Sequence, residues 1–433
     1  MVGVAWPDAS QHIFRLRPNP QSGFNEIVET YWTKEAGWQT RVISAAPTVP
    51  GGAPITVPPA ITEPAAFVGE DGPHVVFGGL EVEDDTQQLG FFYDLWWAAG
   101  QWNLLRLSDS LGYPLAMGGS TVAYGTTNGQ SHALFTSAVA ITPGEEPGLN
   151  GVFYLSWKNN GDGTLSDLYQ NLAEDMAEAS GSGLNAPGPT AAIVGYATAD
   201  GNEWVFWAEA GVLADAPYWE NTGRLWAINI RENAVVSATS VLGAEPRVGF
   251  ASGLAGYQIL TRTPPIILDD FPPYTHHVFF TDSDQDVWEA ASSDGIHFTT
   301  TNLSKTSGGA EPAWLSGAVE TGEGATPLAA FVTFTMPRFP FRSPVWWLFP
   351  ILTQWVFYVG QDDELHYISV SQQDISEGSL ANVNGNAPDL PPRLLDAYTS
   401  PDGTWHVDYA GDGQIQEVYW SDTHAFPNTL GPL

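Results

Sequence analysis

The chain has 433 residues, with 14 Lys and Arg against 49 Asp and Glu, a formal net charge of -35, 18 Trp and no Cys. So little positive charge excludes a nucleic-acid backbone or an anionic membrane surface as partner, because both are bound by replacing counterions with Lys and Arg. Without cysteine there is no disulfide framework, thiolate metal site or thiol nucleophile.

Acidity of this size speaks first to solubility, and it favours neutral or cationic partners. Residues 1–20 lack a basic start followed by an apolar run, so no secretory leader is visible. The apolar run Val345 to Leu352 is too short to span a bilayer and contains Pro350. These features predict a soluble protein, extracellular or cytoplasmic, with no membrane insertion.

Taken in order, the chain repeats one pattern of segments. The first unit has a small-residue strand at Val2 to Trp6, a strand opening on His12, an alternating strand from Asn25 to Trp32, and a closing strand from Trp38 to Ser44. The second unit matches it with Ala65 to Val68, a strand opening on His74, Leu89 to Trp97, and Trp102 to Ser108. Thr121 to Tyr124, His132 and Gly151 to Trp157 begin the third, and Ala191 to Val194, Trp204 and Gly223 to Ile230 the fourth. His277, Asp286 to Ser293 and Phe298 to Ser304 mark the fifth. Ala329 to Val332, Trp355 and Glu364 to Ser371 mark the sixth; Leu394 to Ala397, His406 and Gln414 to Trp420 the seventh.

β-branched and aromatic residues suit pleated, half-buried strands. Small residues suit the crowded axis of a radial assembly, and acid- and Gly-rich turns join hairpins. The pattern predicts an all-β protein: one seven-bladed β-propeller of four-stranded antiparallel blades over residues 1–433. The blades fall at about 1–46, 60–112, 118–178, 188–243, 245–306, 325–382 and 390–433, with no strand shared between the ends. Insertions distinguish the units. Pro47 to Pro59 reads as an extended loop, Leu172 to Ser180 as one or two helical turns, and Gly211 to Asn221 and Thr263 to Tyr274 as lengthened connections. Met336 to Leu352, with Trp346 and Trp347, reads as an edge loop or a protein-contact surface.

No phosphate loop, zinc-helix motif or nucleophile elbow accompanies these strands, so no cofactor is expected. A residue that recurs around a ring, as His12, His74, His132, His277 and His406 do, is expected to pack or hydrogen-bond. The third strands repeat an acid, at Glu29, Asp94, Glu289 and Glu417, beside Trp32, Trp97, Trp288 and Trp420. Acids with aromatics suit sugar binding: a carboxylate accepts from hydroxyls while a ring face covers the apolar side of the sugar. Paired carboxylates hydrolyse glycosides only when about 5 to 10 Å apart, which spacing in sequence does not fix. Asp282, Asp284 and Asp286 alternate as calcium ligands do, and equally as a hairpin turn does.

The sequences from His277 to Glu289 and from Trp355 to Tyr367 resemble the blades of fucose-binding propeller lectins. The resemblance implies shallow glycan sites between neighbouring blades, each built from an Arg, a Glu and an aromatic, with Arg15 beside Glu29 and Trp32 as its counterpart here. The expected function is therefore lectin-like carbohydrate binding, at blade seams or over the central channel. A propeller polysaccharide lyase or glycoside hydrolase is the alternative; its lyase form would draw on His74, His132, Tyr124, Tyr196, Arg106, Arg224, Arg247 and Arg262 for proton transfer and charge neutralisation. A protein-interaction propeller using Met336 to Leu352 is a third.

Overall fold

The computed structural model describes residues 1–43, 55–84, 87–98, 100–107, 115–126, 129, 131–139, 150–159, 165–171, 193–198, 200–208, 223–241, 248, 253–260, 274–282, 284, 286–307, 328–335, 351–360, 364–371, 374–380, 395–400, 404–411, 414–421 and 424–432. They form seven four-stranded antiparallel sheets, each a meander of consecutive strands. Blade 1 comprises β1 (Val2–Ala5), β2 (Gln11–Pro18), β3 (Asn25–Thr33) and β4 (Gly37–Val42). Blade 2 comprises β5 (Ala65–Gly69), β6 (Gly72–Asp84), β7 (Gln87–Ala98) and β8 (Gln101–Arg106). Blade 3 has β9 (Leu115–Gly125), β10 (Ser131–Val139), β11 (Asn150–Asn159) and β12 (Leu165–Asn171); blade 4 has β13 (Ile193–Ala197), β14 (Asn202–Ala208), β15 (Leu225–Arg231) and β16 (Ala234–Ser240). Blade 5 has β17 (Leu254–Leu260), β18 (Tyr274–Thr281), β19 (Val287–Ser292) and β20 (Thr299–Asn302). Blade 6 has β21 (Leu328–Thr335), β22 (Ile351–Val359), β23 (Leu365–Ser371) and β24 (Ile375–Ser379). Blade 7 has β25 (Leu395–Thr399), β26 (Trp405–Gly411), β27 (Gln414–Ser421) and β28 (His424–Pro432).

The first strands β1, β5, β9, β13, β17, β21 and β25 lie side by side in succession, and β25 returns to β1. The ring therefore closes on seven blades, without a strand borrowed between the chain ends. One detail of the fifth unit differs from the sequence expectation. Its fourth strand stops at Asn302, and Leu303 and Ser304 open a short helix, α1 (Leu303–Ser307), whose start is capped by the Asn302 side chain accepting from Lys305 N.

Strand alternation sends successive side chains to opposite faces, so each blade offers one set of residues to the blade before it and another to the blade after. In blade 1, Phe14 and Ile27 join Phe77, Phe91 and Tyr93 of blade 2 in one core layer. Similar layers fill the next five seams. At the closing seam, the described cluster is Ile13 and Ile415 flanked by Met1 and Trp38.

Of the predicted insertions, residues 44–54, 172–192, 209–222, 261–273 and 336–350 lie outside the described residues. The predicted helical turns, most of the two lengthened connections and the Trp346–Trp347 surface fall there; Tyr274, Ile351 and Leu352 already belong to β18 and β22. The described part of the Pro-rich loop, residues 55–59, forms no helix or strand and has a definite place. Ala60 bridges to Asn25 of blade 1 and to Gly79 of blade 2, and Pro59 O accepts from Leu80 N at 2.8 Å. The segment thus stitches the first seam, with Ile55 and Val57 packed on its core.

Candidate functional site

The recurring histidine is a structural unit of the blade. It sits near the start of the second strand, opposite an aromatic of the first strand in most blades: Phe67 faces His74, Tyr124 faces His132, Tyr257 faces His277 and Tyr398 faces His406. Its Nδ1 reaches diagonally to the acid of the third strand: His12 to Glu29 at 2.6 Å, His74 to Asp94 at 2.9 Å, His277 to Glu289 at 2.6 Å and His406 to Glu417 at 2.7 Å. Its Nε2 meets a polar side chain two or three residues earlier, namely Ser10, Asp71, Thr275 and Thr404. These histidines and their third-strand acids are buried, whereas Asp71 is exposed. Burial works against protonating His74, yet Asp94 and Asp71 together raise its pKa to about 10.

Glu29, Glu289 and Glu417 are therefore placed inside the blades with a histidine, and not open on a groove as ligand acceptors. Arg15 is also placed differently from the reading that set it beside Glu29. The residue opposite Glu29 is Phe14, and Arg15 is opposite Val28, so Arg15 and Glu29 point to opposite faces of the sheet. Arg15 is buried on the side that faces blade 7. Trp32 shares that side, paired with Trp38 across β3 and β4.

The arginine that meets Glu29 is Arg41, on the outermost strand of blade 1 and directly opposite Glu29 in register. Its Nε donates to Glu29 Oε2 at 2.5 Å. Its guanidinium lies 4.8 Å from the Tyr31 ring centre and 5.5 Å from that of Trp97, which comes from blade 2. Beneath, Trp97 contacts Trp102 at 5.4 Å and Trp6 at 5.8 Å, and Trp6 stacks on His12 at 3.5 Å. Two blades thus build one aromatic-walled seam around a guanidinium whose side chain is 30% exposed. Gln39, next along the same face of β4, accepts from Tyr31 Oη at 2.6 Å. Of the predicted site residues, this seam brings together Glu29 and Trp97; Tyr31, Gln39 and Arg41 were missed.

The remaining candidates are spread around the ring. Tyr124 and His132 do meet, with Tyr154 and Glu203 at the seam of blades 3 and 4: Tyr124 Oη donates to Glu203 Oε2 at 3.0 Å, and Tyr154 Oη lies 2.5 Å from His132 Nδ1. Burial and Glu203 push both tyrosines up. His74 belongs to the second seam, where Trp157 Nε1 donates to Asp94 at 3.0 Å, and Tyr196 to the fourth, 3.0 Å from His276 Nδ1. Arg106 is tied to Glu81 at 2.8 Å and lies over Phe91; Arg224 is exposed; Arg247 and Arg262 lie outside the described residues. Apart from Tyr124 and His132, which share the third seam, the described members of the lyase set are not brought together. Trp420 is half-buried near Phe357.

The three alternating aspartates form the turn between β18 and β19. Asp282 Oδ1 accepts from the backbone N of Asp284 and of Asp286 at 2.9 Å each, and its Oδ2 accepts from Trp288 Nε1 at 2.6 Å. Asp286 Oδ2 accepts from Asn302 Nδ2 and pairs with Lys305. Asp284 is exposed. The carboxylates of Asp282 and Asp286 are thus engaged by the hairpin's own donors, and among the described residues no group of three His, Asp or Glu is placed to hold a metal ion. Asp282→Ala is expected to cost about 1–3 kcal/mol, because two backbone amides and the indole lose their acceptor. Denaturant unfolding with and without added calcium checks this; a loss that appears only with calcium present contradicts the turn role.

No family model and no curated protein sequence matches the chain. Among solved structures, a lectin from Burkholderia pseudomallei is similar over 100% of this chain and 97% of its own, at 12% identity and a TM-score of 0.54. That likeness is one of fold. The fucose-specific lectin from Aleuria aurantia is similar over 85% of this chain and 94% of its own, at 10% identity and a TM-score of 0.43. AofleA from Arthrobotrys oligospora is similar over 85% and 86%, at 11% identity and a TM-score of 0.46. No helix among the described residues is long and apolar enough to cross a membrane.

Proposed function

We propose that the protein is a carbohydrate-binding propeller whose principal glycan site lies at the seam of blades 1 and 2. The observation that carries this reading is Arg41, held by Glu29 between the faces of Tyr31 and Trp97. Holding a guanidinium between rings fixes its plane, so less freedom is lost when a ligand binds its edge. A pyranose has one face of C–H groups and a rim of oxygens; the half-buried Trp97 and Tyr31 suit the face, and Arg41 suits the rim.

Arg41→Ala and Trp97→Ala are each expected to weaken glycan binding by roughly ten- to a hundred-fold, the scale of one hydrogen bond to a charged group or one aromatic contact. Titration calorimetry on glycans selected from an array measures this. Binding that survives both substitutions, or an array with no binder, overturns the reading.

A further inference from the structure

At its mouth the seam offers a ligand chiefly donors, since its acceptor oxygens are already engaged or buried. Glu29 has one oxygen on His12 Nδ1 and the other on Arg41 Nε. The Gln39 side-chain oxygen accepts from Tyr31 Oη, which leaves the Gln39 amide nitrogen as a donor, and Tyr31 Oη has thereby used its proton. What remains at the mouth of the seam is the terminal pair of Arg41 nitrogens, which make no hydrogen bond among the described residues, and Gln39 Nε2 beside them on the same strand face. A neutral sugar hydroxyl needs an acceptor for its proton as well as a donor for its lone pairs. A carboxylate needs donors alone, and its two oxygens match the fork of a guanidinium.

We propose, building on the carbohydrate reading, that this seam selects glycans carrying a carboxylate, such as uronic or sialic acid residues, over their neutral counterparts. In the pose this implies, the carboxylate takes the two terminal nitrogens of Arg41, Gln39 Nε2 supports one of its oxygens, and the sugar ring rests on Trp97. The net charge of -35 does not prevent this. Exposed charges act over a screening length of about 8 Å at physiological ionic strength, so the groups at the mouth decide. Glu29, the acid there, is already neutralised by Arg41.

The test is a panel of uronate- and sialate-bearing glycans, each matched with its methyl ester and its neutral parent sugar, titrated into the full chain. The acid member of at least one set is expected to bind ten-fold or more tightly than its ester. Arg41→Lys, which keeps the charge and loses the fork, should erase most of that ratio. Gln39→Glu places an acceptor at an exposed position where a donor stood, so it should invert the ratio in favour of the ester without disturbing the core. Esters and neutral parents binding as well as acids, in a manner sensitive to Trp97→Ala, would overturn the selectivity while leaving the carbohydrate reading in place. No binding by any member, charged or neutral, removes both.

Discussion

Asp94→Ala is expected to lower the free energy of unfolding by about 3–5 kcal/mol at pH 7, the usual cost of breaking a buried ion pair by removing one partner. Asp94 is 1% exposed and serves two blades: both its oxygens lie within 3.0 Å of His74 Nδ1, and Oδ2 also accepts from the Trp157 indole of blade 3. Removing it leaves a buried imidazolium facing no counter-ion except the half-exposed Asp71, and an indole N–H facing nothing. The pH dependence separates this from simple loss of packing. Desolvation pulls the pKa of His74 down, but the two aspartates win and hold it at about 10, above its unfolded value. A raised histidine contributes stability that is complete below about 6.5 and is lost as pH climbs through about 10. The gap between native and Asp94→Ala should therefore shrink between pH 7 and pH 10, which denaturant titrations at both values measure. A gap that stays constant, or one under 1 kcal/mol at pH 7, contradicts the ion-pair account.

Such pairs show what the sequence made legible. The seven-fold pattern of small-residue strand, histidine strand, acid strand and closing strand was readable because period-two alternation and turn residues are local properties. That the histidines would be structural followed from their recurrence. The role of the acids was not readable: Glu29 is 17 residues from His12, and only the diagonal register of β2 and β3 brings it to that ring instead of to solvent. Arg15 and Glu29 fall on opposite faces for the same reason, since one residue's displacement along a strand changes the face. Arg41 was within reach. Gly37 has φ of +68°, the left-handed value that a tight turn requires, and the Thr33–Gly37 pairing it sets counts back directly to Glu29 opposite Arg41. Neither the meeting with Trp97 nor the Ala60 stitch follows from such counting, because both depend on how two blades pack.

Asp408→Val is expected to make the protein more stable, by about 1–3 kcal/mol at pH 7, the usual cost of a buried polar group left without a hydrogen-bond partner. Two residues past the histidine or tryptophan of the second strand, the other blades carry Phe14, Val76, Leu134, Phe206, Phe279 and Phe357; blade 7 alone carries an acid. Asp408 is fully buried, and neither of its oxygens has a well-aligned hydrogen-bond donor. It lies directly between two further acids, opposite Asp396 on one side and Glu417 on the other. Burial, then Glu417 and Asp396, push its pKa well above the ordinary range, with the Tyr398 hydroxyl pulling the other way. Burial likewise raises the half-buried Asp396 to about 6, although it accepts from Gly3 N at 2.5 Å across the closing seam. An acid whose folded pKa lies above its unfolded value costs no stability below the unfolded value; the cost accrues as pH rises from the unfolded value to the folded one and is constant beyond it. The seam should therefore weaken as pH rises above about 4, with the share from Asp396 complete near pH 6 and that from Asp408, raised further, still growing beyond it. His276, lowered to about 4 by burial, acts in the opposite sense by penalising acid conditions. The informative quantity is consequently the difference between native protein and variant, which cancels His276. Valine suits the position because Gly3 crowds it: a β-carbon on Gly3 would lie 2.9 Å from Asp408 Oδ2 and against the Tyr398 ring. Unfolding measured from pH 5 to pH 8 should show the advantage of Asp408→Val growing with pH. A variant that is less stable throughout would mean that the acid is compensated at the seam.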